Sequence, residues 1–192
     1  MAVRTFFNCS ESLNAFIRLM NVKALYSNNT RRKPVDKEQF ARQVTSLQGS
    51  LYRVAASYLR GESDRLDAVS EAITRAWEKR HTLREATLFR TWITRILIRE
   101  CVNIQRKQKH SVPVEQMPEA ASEDEDERVT ALREALERLP QRSRTMVVLH
   151  YMEGYDVRET ARIMGTTKGA VCAGLARARN SLRRMIGEEM DV

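Results

Sequence analysis

The chain has only three cysteines, Cys9, Cys101 and Cys172, far apart and with no Cys-x-x-Cys spacing. That rules against a disulfide framework or a zinc site and makes ordinary reduced thiols the reading. Its three histidines, His81, His110 and His150, stand without partners at ligand spacing. Neither a phosphate-cradling glycine loop nor a nucleophile motif is present, so no cofactor or metal is implied and an enzyme is a remote option. A nucleic-acid-modifying enzyme would need clustered carboxylates, and the only acidic cluster falls in residues 115–127, in a segment with no bases. No apolar run approaches the roughly 20 residues needed to span a bilayer, and no secretory signal stands out. A soluble, cytoplasmic protein is the expectation.

What is abundant is positive charge, unevenly placed. The net charge is +8, with 33 Lys+Arg against 25 Asp+Glu, which favours a polyanionic partner. Residues 1–110 and 128–192 are both net basic, whereas 111–127 carry acids and no bases. That acidic stretch also contains Pro113, Pro118 and Ala120-Ala-Ser122, as a solvated linker does. Two small domains, each with its own core, are expected on either side of a tether.

The most informative segment runs over 156–186. Val157, Ala161 and Met164 recur at helical spacing; Gly165-Thr166-Thr167 interrupts; Val171, Leu175, Ala178, Leu182 and Met185 resume it. Gly165 suits a left-handed turn and either threonine suits a helix cap. At about 100° per residue, Cys172, Ala173, Ala176, Arg177, Asn180, Arg183 and Arg184 fall opposite the apolar stripe. Small residues early and arginines later suit entry into a major groove, and no acid occurs from 160 to 187. The competing reading of any single basic helix is a solvated surface. The turn and the short preceding helix move the balance to DNA binding.

Residues 1–35 form a leader of unclear role. From there the pattern is helical: Phe40, Val44, Leu47, Leu51, Val54, Ala55, Tyr58 and Leu59 on a first helix ending near Gly61; Leu66, Val69, Ile73, Ala76 and Trp77 on a second capped by Ser63 or Asp64; and Phe89, Trp92, Ile93, Ile96, Leu97 and Val102 on a third. Nothing looks like a sheet, and the fold class is all-α. The third helix mixes aromatics with Arg90, Arg95, Arg99, Arg106, Lys107 and Lys109, the combination that stacks unpaired bases and holds their backbone. Phe89 and Trp92 fit equally a core role, and the line of Ile96 and Leu97 favours the core for Trp92.

Leu66-Asp-Ala-Val-Ser-Glu-Ala72 with Trp77, then Phe89-Arg-Thr-Trp-Ile-Thr-Arg-Ile96, then the terminal helix-turn-helix, together resemble an extracytoplasmic-function (ECF) sigma factor of the sigma-70 superfamily. The likeness spans about residues 36–187. It implies region 2 over 36–110, an acidic linker over 111–127, region 4 over 128–187 and a tail over 188–192. Region 4 would hold Leu132, Leu136, Leu139, Met146, Val147 and Leu149 in its core. The resemblance implies core RNA polymerase, promoter DNA and a separate, often membrane-bound anti-sigma factor as partners. Polymerase binding would fall to Asp67, Ser70, Glu71, Thr74 and Trp77. The minus-10 element would fall to Arg84, Phe89, Arg90, Trp92, Arg95, Arg99, Arg106 and Lys107 with the 81–91 loop. The minus-35 element would fall to Thr167, Lys168, Cys172, Ala173, Ala176, Arg177, Arg179 and Arg183. Three positions depart from the family's common pattern: Ser70 stands where glutamine is frequent, Arg99 where asparagine is, and Cys172 where a basic residue is. The rival expectation is a helix-turn-helix regulator that acts without replacing sigma.

Overall fold

The computed structural model describes residues 36–83, 85–110 and 127–190. The leader, Arg84 and nearly all of the acidic segment lie outside the described residues. Every regular element among those described is helical.

Helix α1 (Lys37–Ala56) starts where the Asp36 carboxylate accepts from the Gln39 amide, satisfying one of the free donors of its first turn. It buries Phe40, Val44, Leu51, Val54 and Ala55 on one stripe. Helix α2 (Glu62–Lys79) begins earlier than the caps expected from the sequence: Gly61 is its N-cap without a side-chain bond, and Ser63 and Asp64 lie inside the first turn. There Glu62 and Asp64 favour the helix through its dipole instead. Two short 3-10 turns, Arg80–Thr82 and Ala86–Leu88, lead into α3 (Phe89–His110). These three helices pack on one another around Phe40, Ala72, Ile73, Phe89, Ile93 and Leu97.

The second half contains α4 (Glu127–Arg138), α5 (Gln141–Val147) continuing into a π turn (Val148–Met152), α6 (Val157–Met164) and α7 (Lys168–Met190). Helix α4 therefore takes up Glu127 from the expected linker, and α7 runs on through the expected tail as far as Met190. Leu139, Met146, Val147, Ala161, Val171, Leu175 and Ala178 form its core, with Leu136 packed against them. Leu132, expected inside, is 42% exposed, because α4 turns Ala135 and Leu136 inward and is followed by buried Leu139.

Each half has a core of its own, as expected, but the second half also contributes to that of the first. Val148, Leu149, Tyr155 and Ile163 from the second half are buried in the same cluster as the residues of α1–α3. Helix α6 lies against α3, and the π turn against α1. Removing such side chains from water contributes about 1.5–3 kcal/mol each, which draws the halves together once they are close.

Candidate nucleic-acid interface

Helices α6 and α7 make the helix-turn-helix, and its corners are set by local chemistry. Asp156 and Glu159 form a reciprocal capping box: the Asp156 carboxylate accepts from the Glu159 amide at 2.7 Å, and the Glu159 carboxylate accepts from the Asp156 amide at 2.9 Å. The backbone amide bonds hold the Asp156 carboxyl below its ordinary range. Gly165 ends α6 at φ 60°, where a side chain would be strained. Of the two threonines open as caps, Thr167 serves: its hydroxyl accepts from the Ala170 amide at 3.2 Å.

Beyond this turn, α7 buries Val171, Leu175 and Ala178 and leaves Lys168, Cys172, Ala173, Arg177, Asn180, Arg183 and Arg184 exposed, with Ala176 half-buried. The face derived from periodicity is thus the solvent face of the helix. Thr167 is exposed at its start. Arg179 is exposed too, but donates to the Tyr151 hydroxyl at 2.7 Å, which ties it to the π turn. Gly174 stands on the inner side: an added Cβ would overlap the Met146 sulfur, so its lack of a side chain lets α7 approach α5.

The residues expected to meet the minus-10 element are split by the structure. Arg95, Arg99, Arg106 and Lys107 lie exposed along α3. Phe89 does not belong with them. It is 1% exposed, edge-on to Phe40 at 5.4 Å between ring centroids and 5.9 Å from Trp92, so it is a core residue and no base reaches it. Trp92 is half-buried against the same cluster. Arg84 lies outside the described residues. Arg90 is half-buried and already engaged: its guanidinium lies 4.0 Å from the centroid of the Tyr155 ring and donates to the Glu153 carbonyl.

Of the residues expected at the polymerase surface, Asp67 and Glu71 are exposed on α2 and Ser70, Thr74 and Trp77 half-buried. Glu71 pairs with Arg75 at 2.7 Å, and Arg75 also reaches buried Glu100 at 3.3 Å. Trp77 packs on Phe40, and Arg80 lies 3.9 Å over its ring. The tryptophan is therefore held as much by the core as offered to a partner.

Sequence reasoning missed the junction between the halves. Tyr155 is buried and its hydroxyl shares a hydrogen bond with Thr94 at 2.8 Å; burial raises its phenol pKa, keeping the proton on. The Glu153 carboxylate, also buried, accepts from Arg53 at 2.6 and 3.3 Å. Ser57 and Thr145 share a bond at 3.3 Å. These partners are about 60 to 100 positions apart in the chain, and no local pattern pairs them.

Comparison with known proteins accounts for both halves. Residues 43–111 match the model for sigma-70 region 2, and residues 130–182 the model for sigma-70 region 4. The chain is 30% identical over 162 residues to the RNA polymerase sigma factor SigV of Bacillus subtilis, covering 83% of this chain and 98% of that one. It is 33% identical over 140 residues to the ECF RNA polymerase sigma factor SigM of Mycobacterium tuberculosis, covering 71% of each. Among solved structures, the sigma factor RpoE from Bartonella quintana, crystallised with the anti-sigma factor NepR, shares the fold at a TM-score of 0.69. That match has 21% identity and covers 78% of this chain and 98% of RpoE. With both regions present in order and with relatives aligned across most of their own length, the chain belongs to the ECF group of the sigma-70 family of RNA polymerase sigma factors.

Proposed function

We infer that the chain binds core RNA polymerase and directs promoter-specific initiation as an alternative sigma factor, region 4 reading the minus-35 element and region 2 opening and holding the minus-10 element. The observation that carries this reading is the presence of both regions, in order, on one chain whose last helix, α7, offers solvent a basic face with no acid from 168 to 187.

In the minus-35 complex, the N-terminal turns of α7 enter the major groove. Lys168, Cys172, Ala173, Ala176 and Arg177 face base edges there, while Thr167 hydrogen-bonds a phosphate and Arg179 and Arg183 neutralise phosphates. Cys172 offers a small, weakly polar contact, so base choice at that position rests on shape and apolar contact more than on paired hydrogen bonds. In the minus-10 complex, Arg90, Trp92, Arg95, Arg99, Arg106 and Lys107, with Arg84, hold the displaced strand by charge and stacking. Asp67, Ser70, Glu71, Thr74 and Trp77 on α2 meet the polymerase. The protein works by binding, as a transcription initiation factor. It acts in the cytoplasm, where the polymerase is, and among the described residues no helix is long and apolar enough to cross a membrane. An anti-sigma factor is the natural regulator, in keeping with the partner crystallised with RpoE.

Run-off transcription tests this reading. Purified chain plus core polymerase on a library of promoter fragments should yield discrete transcripts that neither component makes alone. A helix-turn-helix regulator would instead bind duplex operator unaided and leave core polymerase without a specific start.

A further inference from the structure

Tyr151, in the π turn, is 49% exposed, yet its hydroxyl is committed: it accepts from the Arg179 guanidinium at 2.7 Å, across 28 positions of sequence. Both side chains stand in water, so neither needs the other to be hydrogen-bonded. Among the described residues no carboxylate pairs with Arg179. The phenol is held from behind as well. Its ring meets the His150 imidazole edge-on, 4.8 Å between centroids, and the His150 Nδ1 donates to the Tyr155 carbonyl at 2.8 Å. Tyr155 is itself buried, so a chain of contacts runs from the core to an arginine on the surface.

Arg179 follows Cys172 by seven residues, about two turns of α7, so the two lie on one line of the helix with Ala176 between them. The early residues of that line reach base edges in the complex inferred above. Roughly 10 Å of rise farther along, a long side chain comes within reach of the strand's backbone. The chemistry of the tie suits a phosphate there. A guanidinium has five N–H donors and a fixed charge, and a neutral hydroxyl takes up one donor without cancelling the charge, as a carboxylate in its place would. With one N–H fixed on Tyr151, the planar fork keeps one orientation, and less freedom is lost when phosphate binds.

We propose that Tyr151 is a positioning residue for the minus-35 complex: its hydroxyl holds the Arg179 guanidinium where it meets a backbone phosphate of that element. The proposal rests on the sigma-factor reading above. Tyr151 acts through Arg179, so removing the hydroxyl matters only while the guanidinium is there to be held.

The test is a double-mutant cycle in the full-length chain assembled with core polymerase, read as affinity for a fluorescent promoter fragment recovered from the run-off library. Y151F removes the hydroxyl and keeps the ring against His150. It should weaken promoter binding by about three- to tenfold, the worth of one hydrogen bond, and leave the urea midpoint of the free chain unchanged. R179A should weaken binding too, and should lower the slope of log affinity against log salt by about one, as loss of a single phosphate contact does. Added to R179A, Y151F should cost nothing more. Either single variant binding as tightly as the parent, or losses that multiply in the double variant, overturns the proposal while leaving the sigma reading intact. An effect of Y151F on folding alone would persist beside R179A and so appear as multiplied losses. If the parent chain with core polymerase selects no promoter, the sigma reading fails and the proposal with it.

Discussion

Single residues set the limits of close approach and of contact in this protein. Gly174 has no room for a side chain because Met146 occupies the space, so Gly174→Ala should lower stability by about 1–3 kcal/mol through overpacking of α7 on α5. Urea unfolding measures this, and an unchanged midpoint would mean that Met146 gives way freely. On the opposite side of α7, Arg177→Ala should weaken promoter binding by about 1–3 kcal/mol. Unaltered footprinting at the minus-35 element by the mutant holoenzyme would remove Arg177 from the interface. The two cysteines whose surroundings are described differ sharply. Burial pushes the Cys101 thiol up to about 12, whereas Cys172 is exposed. A thiol pKa raised by folding contributes stability below its unfolded value of about 8.5, and that contribution is lost as pH rises toward the folded value. Iodoacetamide should accordingly modify Cys172 in the native protein and reach Cys101 only on unfolding. Mass spectrometry of native and urea-treated samples distinguishes the two sites.

At the scale of elements, the helix-turn-helix owes its geometry to termini more than to helix interiors. The Asp156–Glu159 box orients α6, Gly165 stops it, and Thr167 starts α7. Because folding lowers the Asp156 pKa, its contribution is present above the unfolded value of about 3.9 and fades as pH falls through the folded one. The gap in melting temperature between the parent and Asp156→Ala should therefore be widest near about pH 6 and narrow toward about pH 2. A gap independent of pH would show that the cap acts without its charge. Gly165 and a threonine cap were legible in the sequence because glycine and threonine have specific conformational and capping roles at helix ends, and the structure chose Thr167 over Thr166. The start of α2 was not: Ser63 and Asp64 look like caps locally, but the chain leaving Leu59 brings Gly61 to that position instead. Leu132 misled in the same way. Its spacing fits a core stripe, yet α4 turns Ala135 and Leu136 inward and leaves Leu132 at the edge.

At the scale of the whole molecule, the joining of the halves matters most. Tyr155 is among the largest fully buried side chains, and it is enclosed by residues of both regions. Tyr155→Ala should cost about 3–5 kcal/mol, the range for emptying a buried aromatic site, and should shift amide signals in α3 as well as in α6. Calorimetry of the parent should show one main transition, since a shared core makes unfolding cooperative. Two well-separated transitions, with only one moved by the substitution, would mean that the halves unfold independently.

The sequence by itself determined the helical class, the order of the regions, the solvent face of α7 and its turn, and the family resemblance. Each depends on spacing within a few residues or on composition over a stretch, and both are written along the chain. Phe89 marks where that information stops. Its place beside Arg90 fitted a base contact and a core position alike, and only the packing of Phe40 and Trp92 around it decided for the core. The association of Tyr155 with Thr94 and Arg90, and of Glu153 with Arg53, was likewise decided by tertiary structure alone. Those contacts join residues far apart in the chain, and they form because burying a ring and a carboxylate is favourable only where another element supplies a hydrogen bond, a cation and an apolar wall.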